Sequence, residues 1–527
     1  MKWTVKILLP FSAIKIYFFI FFFIIASCNA KINEPSITII GGAKSVSGSC
    51  YLIETTKLNL LVDCGSFYPD SLGLPYEEDV ELTDKLNSKL PLKPDYISSI
   101  LITHAHLDHI GKIPLMVKNG YKGKLISTPK SKELSLEMFE MILKGSNLGE
   151  EKFLKSKKSY KVHSQESCKW RQKIRHKEWV THKRSELFDM RLSLCKVCLG
   201  IERDKIGQLF TTYPYGRKFQ VSDDVYGEFF DAKHIPGSSS ILLSINHKGV
   251  EKKVLFSGDV GSGIDNILEG NPTMPSSADF AFIESTYGAK ERKLSKNPYK
   301  EFFNDLNTNL KKGGIVWIPS FVLDRTQKVL NTLKKGQLAG KIPDKIDIKV
   351  VSPTAKKINK IYDKYRNYRP NYVDESLSMS AKKLEGILNG PKILITPSYV
   401  DGIDTFHPIA QKIVSDPNSS VMLVGYQDPR SFGGRLKKSK KGDKILLSDN
   451  QCNIKASTKY YSGIFSGHYD GIGTLEYLES IDIKNSTFLV HGNQKAKKEL
   501  KSLLEKKGLD SIQIPTGGNR ILLFDEK

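Results

Sequence analysis

Thr103-His104-Ala105-His106-Leu107-Asp108-His109 sets three imidazoles and one carboxylate within six residues, directly after the apolar run 96–103. Imidazole and carboxylate are the ligands zinc takes when one position must stay open to water. A histidine-rich surface loop is the simpler reading of such a string, but it leaves the buried-strand pattern before the string without a purpose. The motif therefore constrains the fold: a strand must run through a core and stop at a metal.

One loop cannot close two metal sites, so other strand ends must contribute. His234 lies in Ala232-Lys233-His234-Ile235-Pro236-Gly237-Ser238-Ser239, where small residues let backbone approach a metal. Asp259 lies in Phe256-Ser257-Gly258-Asp259-Val260-Gly261, just past another apolar run. Either residue alone would more often be structural; the ordered set reverses that reading.

The chain has 527 residues, which suggests two folded units. Strands are expected at 36–40, 50–54, 58–62 and 96–103, then a helix at 110–118 and further alternation to about 143. That is the pattern of an α/β layered domain. Residues 149–205 break the rhythm with dense Lys, Arg and His. Strands resume at 241–245, 254–256 and 280–283. From 297 to about 450 helices alternate with strands at 315–318, 348–351, 393–396 and 421–424. Lys437, Lys438, Lys440 and Lys441 read as a solvated loop, and the last seventy residues return to strands ending at histidines. There is no internal repeat.

Lys and Arg total 80 against 57 acidic residues, a formal charge of +23. That excess favours a polyanionic partner such as nucleic acid, or an anionic membrane surface. Residues 1–30 read as a targeting segment: Lys2, Lys6 and Lys15 precede an apolar run at 16–26. Its end, Ile25-Ala26-Ser27-Cys28, resembles the lipobox of bacterial lipoproteins, with a lipid on Cys28. Cleavage by an ordinary signal peptidase and an uncleaved anchor remain open. In each case the body starts near Lys31 and is expected outside the cytoplasm. The remaining cysteines are scattered, so no disulfide framework is expected. Cys168, Cys195 and Cys198 with His163, His176 or His182 could form a third, structural zinc site, or two of the three could pair as a disulfide.

The ligand set resembles the metallo-β-lactamase superfamily over nearly all of the chain beyond residue 30, with Asp63, the 104–109 cluster, His234, Asp259 and a final histidine at His491. The resemblance implies two zinc ions per chain. One takes His104, His106 and His234; the other takes Asp108, His109 and His491; Asp259 bridges both. Phe282-Ile283-Glu284-Ser285-Thr286-Tyr287-Gly288 resembles one branch, the β-CASP nucleases, which include the pre-mRNA cleavage-and-polyadenylation endonuclease and its bacterial and archaeal relatives. Further matches are Pro319-Ser320-Phe321, Arg325-Thr326-Gln327, Ser352-Pro353-Thr354-Ala355, Gly425-Tyr426-Gln427 and Ser466-Gly467-His468-Tyr469-Asp470. A histidine at position 491 is the mark of RNA-processing members.

The resemblance implies an α/β fold: an αββα sandwich at 31–291 and 453–527, with the 149–205 insertion, and a β-CASP α/β domain inserted at 292–452. It implies phosphodiester hydrolysis of nucleic acid, RNA above all, by metal-bound hydroxide. Asp108, Glu284 and His468 are the expected catalytic residues, with His468 as general acid and Glu284 fixing its tautomer. An exported broad-specificity nuclease and a catalytically silent nucleic-acid-binding scaffold are the alternatives; the scaffold expects lost ligands, and none is lost. A homodimer is left open.

Three places depart from the family pattern. Pro397-Ser398-Tyr399-Val400-Asp401-Gly402 stands where RNA-type members carry Ser-Gly-Met, Asp324 stands where a glycine usually precedes the arginine, and the segment 428–433 is altered. An acidic Asp324 beside a phosphate channel is unfavourable unless it is turned away.

Overall fold

The computed structural model describes residues 34–524 except 69–70, 73, 75, 144–202, 262–266, 269, 293–296, 365–371, 375–385, 399–405, 430 and 448–449. Cys28 with its targeting segment, and the proposed third zinc site at Cys168, Cys195 and Cys198, lie outside the described residues.

Strands β1 (Ser36–Gly41), β2 (Cys50–Glu54), β3 (Asn59–Val62), β4 (Ser99–Leu101), β5 (Lys124–Ser127) and β6 (Phe210–Thr212) form a first sheet. Its β1–β3 part is antiparallel and its β3–β6 part parallel. Strands β7 (Phe219–Gln220), β8 (Val225–Asp231), β9 (Ser239–His247), β10 (Val250–Phe256) and β11 (Ser277–Glu284) build a second sheet, antiparallel up to β10 and parallel from β10 to β11. The period-two alternation of each strand divides its side chains between two faces. In β2, Tyr51 and Ile53 enter the core between the sheets, while Cys50 and Leu52 join the outer face. That outer face is covered by short helices α1 (Leu107–Ile110) and α2 (Ile113–Lys118) and by α3 (Pro129–Leu143).

The inserted domain centres on a parallel six-stranded sheet. Its helices are α4 (Lys300–Lys311), α5 (Arg325–Leu338), α6 (Pro353–Asp363), α7 (His407–Val414) and α8 (Phe432–Lys438). Its strands are β12 (Ile315–Ser320), β13 (Asp347–Val350), β14 (Val373–Asp374), β15 (Lys392–Pro397), β16 (Ser420–Leu423) and, after the hairpin β17 (Lys444–Leu447) and β18 (Asn450–Asn453), β19 (Ser457–Tyr460). A parallel sheet is covered on both faces, which is why these strands read as continuous apolar runs. Val316 and Ile318 face one core and Ile315 and Trp317 the other. Helix α4 buries Phe302, Leu306 and Leu310, one stripe at four-residue spacing, against the first of these cores.

The chain then returns through α9 (Gly471–Glu479), β20 (Asp482–Val490), α10 (Gln494–Lys506), β21 (Ile512–Gln513) and β22 (Arg520–Leu522). Strand β20 pairs parallel with β11, Glu284 opposite Val490, and β22 closes the edge of the first sheet beside β1. Helices α9 and α10 cover the outer face of the second sheet through Leu475, Leu478, Leu500 and Leu504. The result is the expected α/β architecture, an αββα sandwich with an inserted α/β domain. Phe256, Phe282 and Phe488 stack across β10, β11 and β20 with centroids 4.9 and 5.0 Å apart. Among the described residues no helix is long and apolar enough to cross a membrane.

Three expectations need correction. The run 96–103 is a strand only over Ser99–Leu101: a 3-10 turn at Pro94–Tyr96 precedes it, and at its far end Thr103 gives its backbone N–H to the Asp63 carboxylate instead of a ladder. The helix at 110–118 is split in two around Gly111 and Lys112. Lys437 and Lys438 are not loop residues but close α8, where Lys437 Nζ sits 3.7 Å above the Tyr460 ring.

Candidate active site

Strand ends from both sheets meet at one point. Asp63, just past β3, adopts φ 59 and turns its carboxylate toward the 103–109 loop. Its Oδ1 accepts the Thr103 N–H at 2.9 Å, and its Oδ2 accepts the Thr103 hydroxyl at 2.8 Å and His109 Nδ1 at 2.7 Å. Close backbone approach makes two glycines necessary here: a Cβ on Gly65 would stand 1.7 Å from the Asp108 carbonyl oxygen, and one on Gly261 1.9 Å from that of Lys233. The second contact presses the Asp259 loop against the His234 loop.

The expected ligands converge in two groups. His104, His106, His234 and Asp259 form one, and Asp108, His109 and His491 the other, with each group's donor atoms within 4.8 Å of one another. Asp259 joins the two with separate oxygens. Oδ2 lies 3.4 Å from His104 Nε2 and 3.6 Å from His234 Nε2; Oδ1 lies 3.2 Å from His109 Nε2 and 3.5 Å from His491 Nε2. His491 Nε2 is also 3.8 Å from Asp108 Oδ2.

The ring nitrogens turned away from the cluster are held by protein groups. His109 Nδ1 binds Asp63, His234 Nδ1 binds the Gly467 carbonyl at 2.6 Å, and His491 Nδ1 meets the Ser49 hydroxyl at 2.9 Å. The Asp63 carboxylate and the Gly467 carbonyl only accept, so they hold a proton on Nδ1 of His109 and His234 and turn Nε2 toward the cluster, while the Ser49 hydroxyl orients the His491 ring.

Charge tests whether a metal fits. Burial, then the charge of His109, pushes His104 well below the usual imidazole range; burial also lowers His106, with His234, and His234, with His468. These rings are neutral, as ligands must be. Burial alone would raise Asp259, but His491, His109 and His104 hold it well below the usual carboxylate range. Burial opposes charge on His109 too, yet Asp259 and Asp63 raise it well above its ordinary value. The pocket thus demands positive charge between its carboxylates. His109 Nε2 and Asp259 Oδ1 approach each other to 3.2 Å but are both buried without a hydrogen bond of good geometry, an arrangement that a cation between them would satisfy. The donor set fits metal ions.

Beside Asp259 stands a third group, Glu284 and His468. Glu284 ends β11; its Oε1 accepts the Val260 N–H at 2.7 Å, and its Oε2 accepts the Thr286 hydroxyl at 2.5 Å. His468 Nδ1 lies 3.1 and 3.0 Å from the two oxygens. Asp470 caps α9 by accepting the Gly473 N–H at 2.9 Å, which fixes how the Ser466–His468 loop leaves the helix. Burial works against the charged imidazole of His468, but the Glu284 charge and hydrogen bond bring it up to about 9.

Every expected site residue is therefore brought to one place, with Asp108 among the metal-facing donors rather than beside Glu284 and His468. Sequence reasoning missed Thr103, Ser49, the Gly467 carbonyl and the Val260 N–H. The last two are backbone groups, which carry no residue signature. It also missed the partner of Asp324, whose Oδ2 lies 2.9 Å from Lys328 Nζ.

Residues 44–166 match the family described as the metallo-beta-lactamase superfamily, residues 326–436 the Beta-Casp domain, and residues 452–515 the Zn-dependent metallo-hydrolase RNA specificity domain. A ribonuclease of Thermus thermophilus is 24% identical over 491 residues, covering 90% of this chain and 96% of that protein. An RNase J-like protein of Methanocaldococcus jannaschii is 25% identical over 467 residues, 86% of this chain and 91% of that one. The cleavage and polyadenylation specificity factor subunit 3 of Dictyostelium discoideum is 24% identical over 488 residues, 89% of this chain but 55% of that longer protein.

Proposed function

The chain carries the metallo-β-lactamase, β-CASP and RNA-specificity domains of the β-CASP nucleases, and from that premise we propose that it is a zinc-dependent ribonuclease in which His468 protonates the leaving oxygen. The observation that carries this reading is the His468–Glu284 pair, 3.0 Å apart and beside the bridging Asp259. A metal site by itself does not select phosphodiesters; a positioned proton donor beside it suits a poor alkoxide leaving group.

His104, His106, His234 and Asp259 would hold one zinc ion, and Asp108, His109, His491 and Asp259 the other. Zinc bound there would supply positive charge against the phosphate oxygens and acidify a water molecule. His468 gives Nδ1–H to Glu284, whose charge keeps the ring protonated, and the Nε2–H of that imidazolium would supply the proton to the departing oxygen, leaving the neutral Nδ1–H ring behind. Glu284 is itself fixed by the Val260 N–H and the Thr286 hydroxyl, which holds the ring plane while the proton moves. Asp63 and the Gly467 carbonyl keep His109 and His234 in one tautomer, and Ser49 orients His491.

The test is incubation of the purified protein with labelled RNA, single-stranded DNA and duplex DNA, with and without a chelator. Chelator-sensitive cleavage of RNA ahead of both DNAs is the expected result. Cleavage of DNA with RNA left intact would overturn the substrate assignment. Binding without cleavage of any of them would make the chain a scaffold.

A further inference from the structure

Helix α5 of the inserted domain brings Lys328 to the Gly467 turn beside His234. Asp324 stands at its N-cap with φ 74, a left-handed conformation that glycine takes freely and aspartate does not. Its side chain makes no cap bond to the helix. Its Oδ2 instead lies 2.9 Å from Lys328 Nζ, one turn on, and both side chains are almost fully buried, at 8% and 6% exposure. The acidic residue is thus paired with a buried cation rather than standing alone.

Lys328 reaches the seam between the domains. A Cβ built on Gly467 would lie 3.1 Å from Lys328 Nζ and 3.0 Å from His234 Cε1. The ammonium therefore packs on the turn that does two things at once. The Gly467 carbonyl holds His234 Nδ1 at 2.6 Å, and the next residue is His468, whose own N–H binds Ser466 Oγ at 3.2 Å. A Cβ at 467 would make both neighbours give way by a few tenths of an ångström.

We propose that Lys328, clamped by Asp324, is a positioning residue lent by the inserted domain: it braces the Ser466–His468 turn, and through it sets both a ligand and the proton donor. The inference rests on the hydrolase reading for its catalytic consequence, but the brace itself acts on metal binding whatever the substrate. A buried pair is expected to matter through geometry more than through net stability, since replacing both partners by apolar groups is often neutral.

The experiment compares Asp324→Ala, Lys328→Met and the double variant in the full-length protein. Asp324→Ala alone removes a carboxylate from beside the buried ammonium and lowers the melting temperature. The double variant regains most of that stability yet keeps kcat on RNA depressed at least about tenfold, with KM near the wild-type value, and its zinc affinity falls by about tenfold or more, as for a lost ligand-orienting partner. Recovery of kcat and zinc affinity together with stability would show the pair to be merely structural and overturn the proposal. So would a change in KM alone. If the wild-type chain cleaves nothing, the hydrolase reading falls while zinc affinity still decides the brace: unchanged affinity in the double variant rejects it.

Discussion

Asp63 Oδ2 accepts a 2.7 Å hydrogen bond from His109 Nδ1 while both of its oxygens also bind Thr103, so one carboxylate sets the orientation of a ring and of the loop that carries it. An amide of the same shape cannot accept at both positions. Asp63→Asn should therefore retain the fold but weaken metal binding about 10–100-fold, the usual cost of an outer ligand partner. Zinc titration with a competing chelator measures it; wild-type affinity in this variant would refute the role of Asp63.

Asp259 offers one oxygen to each ligand group. Asp259→Ala should abolish hydrolysis and lower the zinc content of both centres, read by elemental mass spectrometry. Two zinc ions per chain in that variant would sink the bridging assignment.

His468 packs on the His234 ring, centroids 4.7 Å apart, but stands outside both ligand groups, with its Nδ1 3.9 Å from the Asp259 carboxylate. Replacing it with Ala should leave the zinc content unchanged and reduce RNA cleavage by about 10²–10⁴-fold. A nitrophenyl phosphodiester, whose leaving group needs no proton, should lose far less. Equal losses on both substrates would mean that His468 places the phosphate instead of protonating the leaving oxygen.

In the metal-free protein His468 is expected to titrate near 9, since the Glu284 charge outweighs the burial that opposes it. The folded value lies above the ordinary 6.5. Its contribution to stability is therefore full below about 6.5 and lost as pH rises through 9. Glu284→Gln removes the charge, so the His468 titration followed by NMR should move to lower pH, and the alkaline limb of kcat in the zinc-loaded enzyme should move the same way. An unmoved titration would contradict the pairing.

Residues 1–30 are proposed to direct export with Cys28 as the first residue of the mature, acylated chain. Two acyl chains suffice for stable membrane anchoring where one does not. Mass measurement of the mature N-terminus in wild type and Cys28→Ala is the check. A protein found in the cytoplasm that retains Met1 would end this proposal.

The ligands were legible because zinc needs imidazole and carboxylate in fixed order, and a loop supplying three donors must write them close together, as at 104–109. Glu284 and His468 were legible through the residues around them. The strand ends were less so: the run at 96–103 is longer than its strand because a 3-10 turn takes its start and Thr103 exchanges its ladder bond for Asp63 at its end. Asp324 looked unfavourable as a lone acid, and its partner four residues on was in plain view. What the sequence could not display is that the same lysine lies against Gly467, because that contact is made only when the domains meet.

Glu284 and Val490 sit opposite each other on neighbouring strands, and the Ser285 hydroxyl that bonds the Val490 carbonyl does so across 205 residues of chain. Everything in the inserted domain is synthesised between these two partners. A growing chain on the ribosome therefore has its first histidine cluster long before it has His468 or His491. Loop closure over such a separation also makes the last strand a late arrival in folding. The order of synthesis thus delays assembly of the site: a chain that stops before residue 468 carries the 104–109 cluster but lacks both His468 and His491.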